Sequence, residues 1–79
     1  MRGSGTNAVT AVTITTEFIK LQDLLKFANL VSSGGEAKAR ILAGEASVNG
    51  EPCAQRGKKI RPGDLVTFDG HELTVDYAH

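Results

Sequence analysis

Three chain reversals written into the second half of the sequence restrict it to short strands. Asn49-Gly50 is a dipeptide in which both residues tolerate positive φ, the condition a two-residue hairpin imposes. Arg61-Pro62-Gly63-Asp64 is a second turn, and Asp69-Gly70 a third. The runs between them, Ala46-Ser47-Val48, Glu51-Pro52-Cys53-Ala54, Leu65-Val66-Thr67-Phe68 and Glu72-Leu73-Thr74-Val75, are too short for helices and read as antiparallel strands.

The first half follows different periods. Val9 to Phe18, with Val12, Ile14 and flanking threonines, is β-branched with period-two character and predicts a strand able to add to the edge of the later sheet. From Ile19 to Leu30, Leu21, Leu24, Leu25 and Ala28 recur at three and four residues, the mark of a helix with one buried stripe. A second helix is predicted from Ser33, whose hydroxyl caps the amide near Glu36 while Glu36 reaches back to the amide of Ser33, a device worth about 1 kcal/mol. It runs through Ala37, Ile41 and Leu42 and stops at Gly44, where a left-handed residue suits a helix end. The expected fold class is therefore α+β: a two-helix hairpin packed on a small, mostly antiparallel sheet.

Residues 1–8 open Met-Arg-Gly-Ser-Gly and are expected to be a disordered tip or an expression remnant, leaving residues 9–79 as one domain. A 79-residue chain buries only about 60% of its unfolded surface, so the core is small. No apolar run approaches the roughly 18 residues of a membrane span, no signal-peptide pattern is present, and a cytoplasmic protein is expected. The one cysteine, Cys53, excludes an internal disulfide and a cysteine-built zinc site and reads as a small packed hydrophobe.

Nine Lys and Arg balance nine Asp and Glu, which by itself argues against a nucleic-acid binder. The charges are segregated, however. Between Lys38 and Arg61 six cations (Lys38, Arg40, Arg56, Lys58, Lys59, Arg61) face only Glu45 and Glu51, while Asp64, Asp69, Glu72 and Asp76 gather near the end. Salt screens charges beyond about 8 Å, so the local excess matters more than the zero sum.

The densest stretch is Gln55-Arg56-Gly57-Lys58-Lys59-Ile60-Arg61. Arg pairs bidentately with phosphate and Lys adds point charge, although the same loop also reads as a solvated surface. The second helix tips the balance toward phosphate. Lys38 and Arg40 project from it, its first turn offers free amides, and Gly34 and Gly35 permit close approach of a phosphate. Arg40 also stands four residues after Glu36 and is placed to pair with it, and Lys20 is a weaker candidate on the first helix, where Lys26 reads as solvated.

His71 and His79 have no partners at metal-ligand spacing, and no P-loop, Ser/His/Asp set or paired carboxylates occur, so neither metal nor cofactor nor catalysis is expected. The aromatic residues are Phe18, Phe27, Phe68 and Tyr77, with the phenylalanines expected in the core. Without an exposed stacking platform, folded or double-stranded RNA read by shape fits better than a single strand.

The run from Lys20 to Phe68 resembles the S4 RNA-binding domain. The shared pattern is Lys20-Leu21-Gln22-Asp23-Leu24-Leu25, then Leu30-Val31-Ser32-Ser33-Gly34-Gly35-Glu36-Ala37-Lys38, Gly44, Val48-Asn49-Gly50 and Arg61-Pro62-Gly63-Asp64-Leu65-Val66. Ser33 to Lys38 with Arg56 to Asp64 is similar to the small stand-alone bacterial members in particular. The resemblance implies a helical hairpin on a bent sheet, the alpha-L motif. It also implies a non-catalytic monomer that grips structured RNA, ribosomal or transfer, along the second helix and adjoining loop, with a ribosomal particle or RNA-modifying enzyme as further partner. Lys38, Lys58, Lys59 and Arg61 match that surface. Gly34 and Gln55 stand where many members carry Arg, which implies weaker binding. The alternative is a protein-interaction or scaffold module. Ubiquitin-like sulfur carriers share some of the turn spacing, but they end in Gly-Gly, and this chain ends Tyr77-Ala78-His79.

Overall fold

Alternation decides which side chains enter the core. In the computed structural model, which describes residues 9–78, Val12 and Ile14 lie on one face of strand β1 (Val9–Ile14) and are buried, while Val9, Ala11 and Thr13 face outward. Strand β2 (Ile19–Lys20) leads directly into helix α1 (Leu21–Phe27), and helix α2 (Gly34–Leu42) follows. Strands β3 (Ala46–Val48), β4 (Glu51–Pro52), β5 (Lys59–Ile60), β6 (Leu65–Phe68) and β7 (His71–Tyr77) complete the order.

Five strands form one sheet in the order β1-β7-β6-β3-β4, and β2 with β5 forms a second, two-stranded sheet. Every pairing is antiparallel except β1 with β7, where Val9 to Ile14 run parallel beside Glu72 to Tyr77. The first strand thus takes the sheet edge, as its composition suggested. The two hairpins turn where expected: Asn49 and Gly50 have φ of 52° and 86°, and Asp69 and Gly70 have φ of 52° and 79°.

Leu21, Leu24 and Leu25 of α1 and Ala37 and Ile41 of α2 meet Ile60, Val66, Phe68, Leu73 and Val75 in one core cluster. Both helices end in the same way. Gly44 donates to the Ile41 carbonyl and Glu45 to the Arg40 carbonyl, and Asn29 and Leu30 donate to Lys26 and Leu25, so each left-handed residue closes its helix with paired backbone bonds.

Three expectations need correction. The first helix begins at Leu21, not Ile19, because Ile19 and Lys20 pair with Ile60 and Lys59 as a strand. The carboxylate of Glu36 reaches the amide and hydroxyl of Ser32, both at 2.8 Å, and not the amide of Ser33. Of the three phenylalanines only Phe68 is a core residue: Phe27 lies off the apolar stripe, 65% exposed, and Phe18 is half-buried outside the core cluster. The expected tip over residues 1–8 falls outside the described residues, as does His79.

Candidate nucleic-acid interface

The backbone of the basic segment is fastened at several points while its side chains stand free. Helix α1 has no side-chain cap at Lys20; its first amides, of Leu21 and Gln22, instead donate to the carbonyls of Lys58 (2.9 Å) and Arg56 (3.1 Å). Those amides have no partner within their own helix, so the segment satisfies them and is held in return. Ile60, fully buried, anchors the far side, and the β2–β5 ladder sets Lys20 opposite Lys59. Among the described residues the side chains of Lys20, Arg56, Lys58 and Arg61 make no hydrogen bond or ion pair, and the Lys59 ammonium lies 5.0 Å over the Phe18 ring.

A second set of bonds fixes the end of the segment. Asp64 accepts from the Arg61 amide at 2.9 Å and from Asn49 Nδ2 at 3.2 Å. Asn49 in turn accepts from the Leu65 amide and donates its own amide to the Leu65 carbonyl. The Arg61 amide above all, then the Asn49 amide and the nearby charges of Lys58 and Arg61, hold the Asp64 carboxyl below the usual aspartate range against the opposing effect of burial. Asn49 is therefore both a turn residue and the tie between the β3–β4 hairpin and the basic segment. Between them lies a groove of about 500 Å³, whose lining includes Lys58, Lys59 and Arg61 of the basic segment and Glu51 and Cys53 of the hairpin. Cys53 is half-buried and packs against the core.

The other candidates sit at the opposite end of α1. Ser33 caps α2 through its hydroxyl, which accepts from the Glu36 amide at 3.1 Å. Glu36, bonded by the Ser32 amide and hydroxyl and near Arg40, has its pKa lowered. The Lys26 ammonium approaches this helix start, 4.0 Å from where a side chain at Gly34 would begin, and pairs loosely with Asp23 at 3.5 Å. Sequence reasoning treated Lys26 as solvated. Its signal, a lysine immediately after the stripe residue Leu25, is indistinguishable from any surface lysine until the loop returns α2 beside it. Gly35 leaves its side-chain space open, with only the Ser33 hydroxyl 3.9 Å away. Lys38, one turn after Gly34 on the same helix face, is exposed and makes no ion pair among the described residues.

Arg40 is differently placed. Its guanidinium bonds Glu45 at 2.7 and 2.9 Å, lies 3.6 Å from Asp69 and 3.9 Å from Glu36, and stacks 4.6 Å from the centroid of buried Phe68. The Glu45 bond is the main reason its pKa is raised. The expected Glu36 pair exists but is the longest of the three contacts. Two clusters result: Lys20, Arg56, Lys58, Lys59 and Arg61 around the start of α1, and Lys26, Gly34, Gly35 and Lys38 near its end, a seven-residue helix or about 10 Å apart. Arg40 belongs to neither. Among the described residues no group of His, Cys, Asp and Glu could hold a metal ion, and no helix is long and apolar enough to cross a membrane.

The model of the S4 domain matches residues 12–76. Over 59 residues the chain is 42% identical to the probable ribosome maturation protein RlbA of Bacillus subtilis, covering 75% of this chain and 83% of that one. It is 37% identical over 57 residues to the putative RNA-binding protein YbcJ of Escherichia coli, covering 72% and 81%. The solution structure of YbcJ, described as having an alpha-L motif involved in RNA binding, superposes with a TM-score of 0.64 at 30% identity over 91% of this chain and 90% of that one.

Proposed function

Since this chain belongs to the S4 domain family, we propose that it is a non-catalytic module that grips structured RNA through two clusters of cations at the ends of α1. One observation carries the reading: the backbone from Arg56 to Arg61 is pinned to α1, β2 and Asp64, while the side chains of Arg56, Lys58 and Arg61 make no hydrogen bond and no close ion pair among the described residues. A backbone already fixed adds no ordering cost of its own when its cations meet phosphates, so only side-chain freedom is lost on binding.

Within that surface Lys58, Lys59, Arg61, Arg56 and Lys20 form the loop cluster, and Lys38 with Gly34 and Gly35 the helix cluster. Lys26 joins the second cluster and supplies a cation near the place that Gly34 leaves bare. Arg40 serves the fold, tying α2 to the β6–β7 turn through Asp69. The name of the Bacillus subtilis relative supports ribosomal RNA, within an assembling ribosomal particle in the cytoplasm, as the target.

The test is a salt titration of binding to folded ribosomal RNA fragments. Each phosphate contact contributes about −0.7 to −0.9 to the slope of log affinity against log salt. Lys38→Ala and the double variant Lys58→Ala/Lys59→Ala should each flatten the slope by about the number of cations removed. Failure of the folded protein to bind any structured RNA at low salt returns the reading to a protein-interaction module.

A further inference from the structure

The groove between the β3–β4 hairpin and the basic segment carries more than phosphate binding needs. Lys58, Lys59 and Arg61 line it, but so do Glu51 and Gln55. A slot meant only for phosphate gains nothing from a carboxylate on its wall, which repels the ligand. Val48 and Glu51 are register partners across the hairpin, so their side chains share a face, on which Val48 is buried and Glu51 is exposed at the groove. Glu51 nevertheless makes no hydrogen bond or ion pair among the described residues, and neither does the Gln55 side chain.

The groove is open to solvent, and the Asn49–Asp64 bond joins the hairpin to the end of the basic segment, two of the parts that line it. About 500 Å³ lies within the roughly 300–1,000 Å³ of sites that receive small molecules, room enough for one nucleotide. Beside the cations, an acceptor-only carboxylate and an amide with both donors and an acceptor form a set suited to the edge of a base.

We propose that this groove seats one unpaired guanine nucleotide of the RNA, with Lys58 and Arg61 on its phosphate and Glu51 and Gln55 on its base. Guanine is the base whose Watson–Crick edge presents two adjacent N–H donors beside a carbonyl, matching a carboxylate next to an amide N–H. Adenine and cytosine place an acceptor nitrogen beside their single amino group, which Glu51 repels, and uracil offers one donor between two carbonyls. The inference rests on the RNA-binding reading and narrows it: the preferred RNA has a base displaced from the helix, because a paired guanine hides this edge.

The experiment titrates the full chain against one RNA stem, fully paired or carrying a single bulged G, A, C or U. The native chain, Glu51→Gln and Gln55→Ala are compared at constant salt, with thermal melts confirming that each is folded. The expected result is that the native chain binds the G-bulged stem about tenfold more tightly than the paired stem, with the other bulges between, and that Glu51→Gln brings the G bulge to the level of the others. Glu51→Gln also removes a negative charge, so a purely electrostatic role for Glu51 raises affinity for every RNA alike. That uniform rise, a native chain without guanine preference, or a preference undiminished in both variants overturns the proposal while the RNA reading stands. If the native chain binds none of the five stems at low salt, both fall.

Discussion

Lys20 and Lys59 stand directly opposite each other in the β2–β5 ladder, two exposed ammonium-bearing side chains in one register pair. Like charges so placed repel, at a cost of about 0.2–1 kcal/mol. The Phe18 ring beneath Lys59 offsets part of it. A phosphate between the two lysines removes the repulsion, so the pair favours the bound state over the free one.

Lys20→Ala should accordingly leave the free protein as stable as before or more stable by a few tenths of a kcal/mol at low salt, while weakening RNA binding several-fold. Urea unfolding midpoints and RNA titrations measure the two effects. A variant that loses stability and keeps its affinity makes Lys20 a packing residue and removes it from the interface.

Arg40 and Lys38, two residues apart on α2, should separate in the opposite sense. Arg40→Ala loses the Glu45, Asp69 and Phe68 contacts and should lower the melting temperature with little change in the salt slope of RNA binding. Lys38→Ala should leave melting nearly unchanged and reduce the slope by about one contact. Equal slopes lost in both variants would place Arg40 on the RNA after all.

Asp64 makes stability dependent on acid. Its pKa is lowered in the folded chain from the ordinary 3.8, so its contribution is complete above that value and disappears as pH falls through the lower folded value. Asp64→Ala should cost about 1–3 kcal/mol at neutral pH through the lost bonds to Arg61 and Asn49. The gap between the native chain and the variant should narrow steadily below about pH 4. Denaturant titrations at pH 7, 4 and 2.5 follow it, and a gap that does not depend on pH rules out the carboxylate as its source.

Leu24 and Phe27, one turn apart on α1, test where the core ends. Leu24 is fully buried, and Leu24→Ala should cost about 2–5 kcal/mol, a large part of the stability of so small a domain. Phe27→Ala should change stability by about 0.5 kcal/mol or less. Urea midpoints give both values; comparable losses mean that Phe27 packs in solution.

The comparison of Leu24 with Phe27 also shows how far the sequence could be read. The three-and-four spacing of Leu21, Leu24 and Leu25 marked the buried stripe correctly because burial on a helix follows from angular position alone. Counting Phe27 as core relied on hydrophobicity where position governs. Local chemistry likewise located Ser33 as a cap, Gly44 as a helix end and both hairpin turns. It missed β2, a two-residue strand that exists only because Ile60, far along the chain, returns to pair with Ile19.

The candidate site divides in the same way. Which residues carry positive charge, and that they gather between Lys38 and Arg61, is written in the sequence and survives any folding. Which of those charges are free for a ligand is not. The spacing from Glu36 marked Arg40 as a residue able to pair, but its closer partners are Glu45 and Asp69 while Lys38 faces solvent, because a guanidinium takes the nearest carboxylates that folding brings to it. Lys26 meets Gly34 across the loop between the helices, Lys20 meets Lys59 across the β2–β5 ladder, and Glu51 lines one groove with the basic segment, all through contacts between separate elements. Turns and helix ends depend on a few consecutive φ and ψ angles, so the sequence determined them. The pairing of charges depends on distances between elements, and only the tertiary structure sets those.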